Sequence, residues 1–168
     1  MRPSILALLL VAPLGAQATA LVADAFAPVR FLVGEWTGEG EGKPGASTGA
    51  ATFFFELDGK VLVRRSHADY PAANGRPASH HEDLMTVFAE GGQLKALYLD
   101  NEGHAIHYLV AAVPWGVAFT SEAAPGPRFR LTYLQTPRST VTVRFEIAPP
   151  GTPEDFRTYL EATTRKVK

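Results

Sequence analysis

Cysteine is absent from all 168 residues, and methionine occurs only twice. That removes disulfides, thiolate metal sites, thiol nucleophiles and a lipid-bearing cysteine, so stability has to come from burial and strand pairing. There is little clustered positive charge. Arg64-Arg65 is the longest basic run before the C-terminal tail, and acidic residues outnumber basic ones by 17 to 16. A nucleic-acid surface needs concentrated basic charge, so nucleic acid is not an expected partner. The sequence also contains no zincin motif, no Gly-x-Ser-x-Gly elbow and no P-loop. No segment of any length repeats its apolar residues at helical spacing, which argues against helix-rich folds.

The N-terminus is the least typical stretch. Arg2, the apolar run Ile5 to Leu14 and the small residues Ala16-Gln17-Ala18 or Ala18-Thr19-Ala20 have the layout of an export signal. Its ten apolar residues, interrupted by Pro13, fall short of the roughly twenty that a spanning helix requires. The expected organisation is a leader over residues 1–20 and one domain over 21–168. Losing Arg2 leaves 15 basic against 17 acidic residues. An exported, cysteine-free single domain suits a bacterial periplasm.

From Val33 to Ala148 the chain alternates apolar and polar residues, with turn residues every eight to fifteen positions. This is the pattern of an antiparallel meander. Asp24 to Leu32 reads as a short helical or irregular lead-in. Asp58-Gly59 and Gly91-Gly92 suit two-residue type I′ hairpin turns, and Asp100 to Gly103 makes a further turn. The first turn pairs Phe54 with Val63 and Thr52 with Arg65. Val141, Val143, Phe145 and Ile147 share one face of a half-buried strand. Thr152 to Asp155 reads as a one-turn helix start, and Arg157 to Val167 as a closing strand. Nine or ten strands joined to their neighbours must hide their edges, so the expected fold is all-β, a single antiparallel up-and-down barrel.

"LVGEWTGEGEG" is the most distinctive stretch, with Gly34, Gly38, Gly40 and Gly42 on the strand face that also carries Trp36. Such a face lets the strand bend and lets a backbone or flat ligand come close. With "YLEATTRKV" near the C-terminus, it resembles the nitrobindin family of haem-binding β-barrels, relatives of lipocalins and fatty-acid-binding proteins, the calycin barrels. Gly34, Trp36, Gly38, Gly40 and Gly42 match the family's first strand, and Leu160, Thr163, Arg165 and Lys166 its last. The resemblance implies a ligand cavity, with Trp36 plugging the closed end and stacking on a basic side chain of the last strand, for which Arg165 is the candidate. Where the family has its axial haem histidine this chain has Tyr159, so haem ligation would fall to a tyrosinate.

The densest polar run is "RRSHADY". On a strand, Arg65, His67 and Asp69 share one face, and Arg64, Ser66 and Tyr70 the other. If the first face points inward, it supplies a guanidinium, an imidazole and a carboxylate to orient a ligand with a polar or anionic group. If it points outward, it is a solvated surface. Ligand contacts are accordingly expected from Arg65, His67, Asp69, Tyr159, Gly38 and Gly40. The expected function is binding of one small, largely apolar molecule. The alternatives are an interaction barrel with a filled interior, a haem protein using Tyr159, and a hydrolase or isomerase in which His67 with Asp69 moves a proton. His80 and His81 are adjacent and point to opposite faces, so a metal site would need assembly across strands, for example from His67, His81 and Asp83.

Overall fold

The computed structural model describes residues 24–42, 45–73, 75–136 and 140–167. The leader expected over residues 1–20 lies outside them. After a short 3-10 helix, Ala27–Leu32, ten strands follow among the described residues. They are β1 (Gly34–Gly42), β2 (Ser47–Glu56), β3 (Val61–Tyr70), β4 (Ser79–Glu90), β5 (Gln93–Asp100), β6 (Ala105–Val113), β7 (Gly116–Ser121), β8 (Arg128–Gln135), β9 (Thr140–Ala148) and β10 (Arg157–Lys166). Each strand pairs antiparallel with its sequence neighbours, and β1 pairs with β10 to close the barrel. The sheet is the expected all-β up-and-down barrel, and closure leaves no strand edge unpaired.

The turns explain the register. Leu57, Asp58 and Gly59 all take positive φ, 49°, 53° and 79°, the Gly59 N–H bonds the Glu56 carbonyl, and the Lys60 N–H bonds the Leu57 carbonyl across Asp58-Gly59. That is the type I′ geometry their sequence favours. Thr52 therefore faces Arg65 and Phe54 faces Val63. Gly91 and Gly92, with φ of 59° and 78°, join β4 to β5 in the same way. Pro149 to Asp155 forms turns rather than the helix start expected there: the Asp155 N–H closes on the Thr152 carbonyl, and no helical residue follows.

Alternate positions along the strands face inward and outward, although β3, β7 and β8 each bury three consecutive residues. One end of the barrel is filled: Val29 and Leu32 of the 3-10 helix, Phe53, Leu62, Val87, Leu94, Val110 and Val117 pack into one buried cluster. Each such side chain contributes roughly 1.5–3 kcal/mol by leaving water. Trp36 seals this end, its indole N–H donating to the Leu32 carbonyl at 2.6 Å. Its cationic partner is Lys166, at 5.5 Å from the ring, and not Arg165. The register decides this, because Lys166 lies directly opposite Trp36 while Arg165 faces Thr37 on the outer surface. Trp115, at the β6–β7 turn, is 82% exposed and takes no part in the plug.

The glycines of β1 have a steric cause. A Cβ on Gly38 would fall on the Thr163 carbonyl oxygen, and one on Gly42 on the Tyr159 carbonyl oxygen. β1 and β10 approach too closely for any side chain at those two positions.

Candidate functional site

The other end of the barrel is not filled. A cavity of about 450 Å³ runs inward from the mouth, and its three walls differ in chemistry. The β1–β2 wall carries small residues along much of its length, Gly38, Gly40, Ser47, Gly49 and Ala51, with Trp36 and Phe53 as its bulky lining side chains. The β8–β10 wall is apolar: Phe129, Leu131, Val141, Val143, Phe145 and Ala162. Phe129 and Phe145 stack with centroids 6.0 Å apart, and Tyr159 meets Phe145 edge-on at 6.1 Å. The inward face of β9 is the one its sequence alternation indicated. The β3–β6 wall is polar, and its centre is Arg64.

Arg64 is buried, with its side chain 10% exposed, and so is Asp83, at 2%. Arg64 Nη2 donates to Asp83 Oδ2 at 2.7 Å, and Nη1 donates to the Tyr133 hydroxyl at 2.7 Å. Burial alone would weaken the guanidinium's hold on its proton, but the Asp83 carboxylate together with Tyr133, Tyr98 and Tyr108 outweighs this and keeps Arg64 charged. Arg64 Nε and Asp83 Oδ1 have no partner among the described residues. The ion pair is thus internally neutralised without being fully hydrogen-bonded.

Three phenols surround it. Burial raises the pKa of Tyr98 and of Tyr108, and that of Tyr133 to about 12 despite the nearby guanidinium. All three stay protonated near neutral pH and present O–H groups. Tyr98 donates to Asp100 Oδ2 at 3.2 Å and lies 3.0 Å from His81 Nε2. His81 Nδ1 is 3.1 Å from Glu102, which marks the mouth. Burial pushes the Asp100 carboxyl up, but hydrogen bonds from the His104 N–H and ring, and from the Glu102 N–H, hold it below its ordinary value.

The residues expected to contact a ligand divide by face. Gly38, Gly40 and Tyr159 line the cavity. Arg65, His67 and Asp69 are all exposed on the outer face of β3, while Arg64, Ser66 and Tyr70 take the inner one; of the three, His67 alone is among the residues that line the cavity. Asp69 bonds His80 at 2.7 Å on the outside, while His67 stands 3.9 Å from it. The arrangement is a surface cluster, so the proton-transfer pair His67–Asp69 faces solvent rather than an enclosed substrate. His67 is also on the face opposite His81 and Asp83, which dissolves that metal grouping. Among the described residues no group of three or more potential ligands is placed to hold an ion.

Tyr159, the residue that would meet a haem iron, lines the cavity beside Phe145. Its position is set by an irregularity in β10 between Thr158 and Leu160, where the register with β9 shifts. No helix of the described residues is long and apolar enough to cross a membrane. No protein-family model matches the sequence, and no curated protein matches it. The calycin-like likeness therefore rests on the closed ten-strand barrel itself.

Proposed function

We propose that this barrel binds one small, flat, largely apolar molecule with a polar group, inserted between the small-residue β1–β2 wall and the aromatic β8–β10 wall. The carrying observation is the cavity of about 450 Å³ between those walls, which is within the range of small-molecule sites. A barrel serving only as a scaffold gains nothing from leaving that volume unpacked, since interiors otherwise approach crystal density. The polar wall orients the ligand, and the plugged end excludes a through-channel. Export to a periplasm, read from residues 1–20, would place the protein where a small-molecule carrier meets solutes from outside the cell.

The neutral fluorophore N-phenyl-1-naphthylamine tests the reading. The protein should enhance its fluorescence saturably at one site per chain. Ala162→Phe projects a ring from β10 into the cavity and should abolish the enhancement without lowering the melting temperature. Enhancement that persists in Ala162→Phe would move binding out of the barrel. A haemin titration of the same preparation should give no Soret shift; a shift lost in Tyr159→Phe would favour the haem reading instead.

A further inference from the structure

We propose that the cavity selects a neutral ligand bearing a carbonyl or similar acceptor, received by the Tyr108 hydroxyl, and that it discriminates against carboxylates of the same size. The inference rests on the ligand-binding reading above and narrows it to a chemical class.

Arg64 is the only lysine or arginine among the described residues lining the cavity, and its charge is already matched by Asp83 at 2.7 Å. A barrel built to hold an anion would leave its guanidinium unpaired, or paired only with neutral groups. The register adds a second barrier. Asp83 faces Ser66 across β3–β4 and Asp100 across β4–β5, one inward pair nearer the mouth than Arg64, which faces Met85. Glu102 lies further out still, at the mouth. A carboxylate moving toward Arg64 must pass these like charges in a confined space, where repulsion is poorly screened.

What the wall offers in place of positive charge is a neutral donor. Tyr108 is 1% exposed, and its ring is fixed by edge contacts to Tyr98 and Phe119 at 6.4 and 6.3 Å. Among the described residues its hydroxyl makes no hydrogen bond, whereas the Tyr98 hydroxyl donates to Asp100 and the Tyr133 hydroxyl is held in place as an acceptor from Arg64. That hydroxyl is not among the buried polar atoms left without a partner and Tyr108 lines the cavity, so its O–H is open to an acceptor on the ligand. The facing aromatic wall takes the rest of the molecule without further polar demand.

Three naphthalenes of similar size separate the possibilities when titrated calorimetrically into the full chain near neutral pH: methyl naphthyl ketone, naphthoate and ethylnaphthalene. The ketone should bind about tenfold or more tightly than naphthoate, and about three- to tenfold more tightly than ethylnaphthalene, the range expected for one neutral hydrogen bond. Tyr108→Phe should remove the ketone's advantage and leave ethylnaphthalene unchanged. Naphthoate binding as tightly as the ketone overturns the proposal, as does an unchanged ketone affinity in Tyr108→Phe; the three-ligand comparison on the unmodified chain decides even if that variant folds poorly. Equal binding of ketone and hydrocarbon refutes the head-group assignment alone, and failure of all three to bind refutes the cavity reading with it.

Discussion

Removing the Asp83 carboxylate should be among the most damaging single substitutions in the barrel, and removing both members of its ion pair much less so. Arg64 and Asp83 are separated by 2.7 Å with side chains 10% and 2% exposed. In Asp83→Asn the guanidinium keeps its bond to Tyr133 but loses its countercharge where water has little access. Breaking a buried pair in this way costs about 3–5 kcal/mol. With a urea m-value of about 2 kcal/mol/M, the unfolding midpoint should fall by about 1.5–2.5 M. The double variant Arg64→Met/Asp83→Leu removes both charges and keeps apolar bulk, and should recover most of that loss. Urea denaturation of the unmodified chain, both single variants and the double variant gives the coupling directly. A cost below about 1 kcal/mol for Asp83→Asn, or additive single losses, would refute the view that this pair is buried and mutually dependent.

Two further substitutions test other parts of the barrel. Gly38→Ala should destabilise by about 1–3 kcal/mol, because its methyl meets the β10 backbone; Gly40→Ala, whose methyl presses on the Ser47 and Ala162 side chains and touches the Glu161 carbonyl only at ordinary contact distance, should cost less, and equal melting temperatures would remove the steric account of the glycines. The pKa of Asp100 is lowered on folding, so its contribution is present above the unfolded value of about 3.9 and is lost as pH falls through the folded value. Asp100→Asn should therefore be less stable than the unmodified chain near pH 7, by about 1–2 kcal/mol. That difference should shrink below about pH 4 in acid titrations followed by circular dichroism; a gap that stayed constant would contradict it.

Much of this architecture is legible in the sequence because it rests on local chemistry. Asp58-Gly59 dictates its own turn, and the turn dictates the β2–β3 register. β9 alternates strictly, so its inner face can be read directly. The inner face of β3 cannot: Phe53-Phe54-Phe55 and Val61-Leu62-Val63 are apolar at every position, so nothing in the text distinguishes Arg64 from Arg65. The deciding contacts, to Tyr133 and Asp83, come from residues 69 and 19 positions away in the chain. The end of β10 has the same ambiguity in polar form. Thr163-Thr164-Arg165-Lys166 carries no apolar alternation, and only pairing with β1 shows that Lys166 and not Arg165 meets Trp36. Tyr108 escapes sequence reasoning because it lies in an ordinary-looking strand, and its importance arises from an unengaged hydroxyl facing a cavity.

The location of binding is the central claim, and amide chemical-shift mapping of the isotope-labelled protein during titration with methyl naphthyl ketone measures it most directly. The largest shifts should fall on the cavity walls, at Gly38, Gly40, Gly49, Ser66, Tyr108 and Phe145, and should vanish in Ala162→Phe. Shifts concentrated instead on the outer surface at Arg65, Asp69 and Glu82, or surviving in that variant, would contradict it.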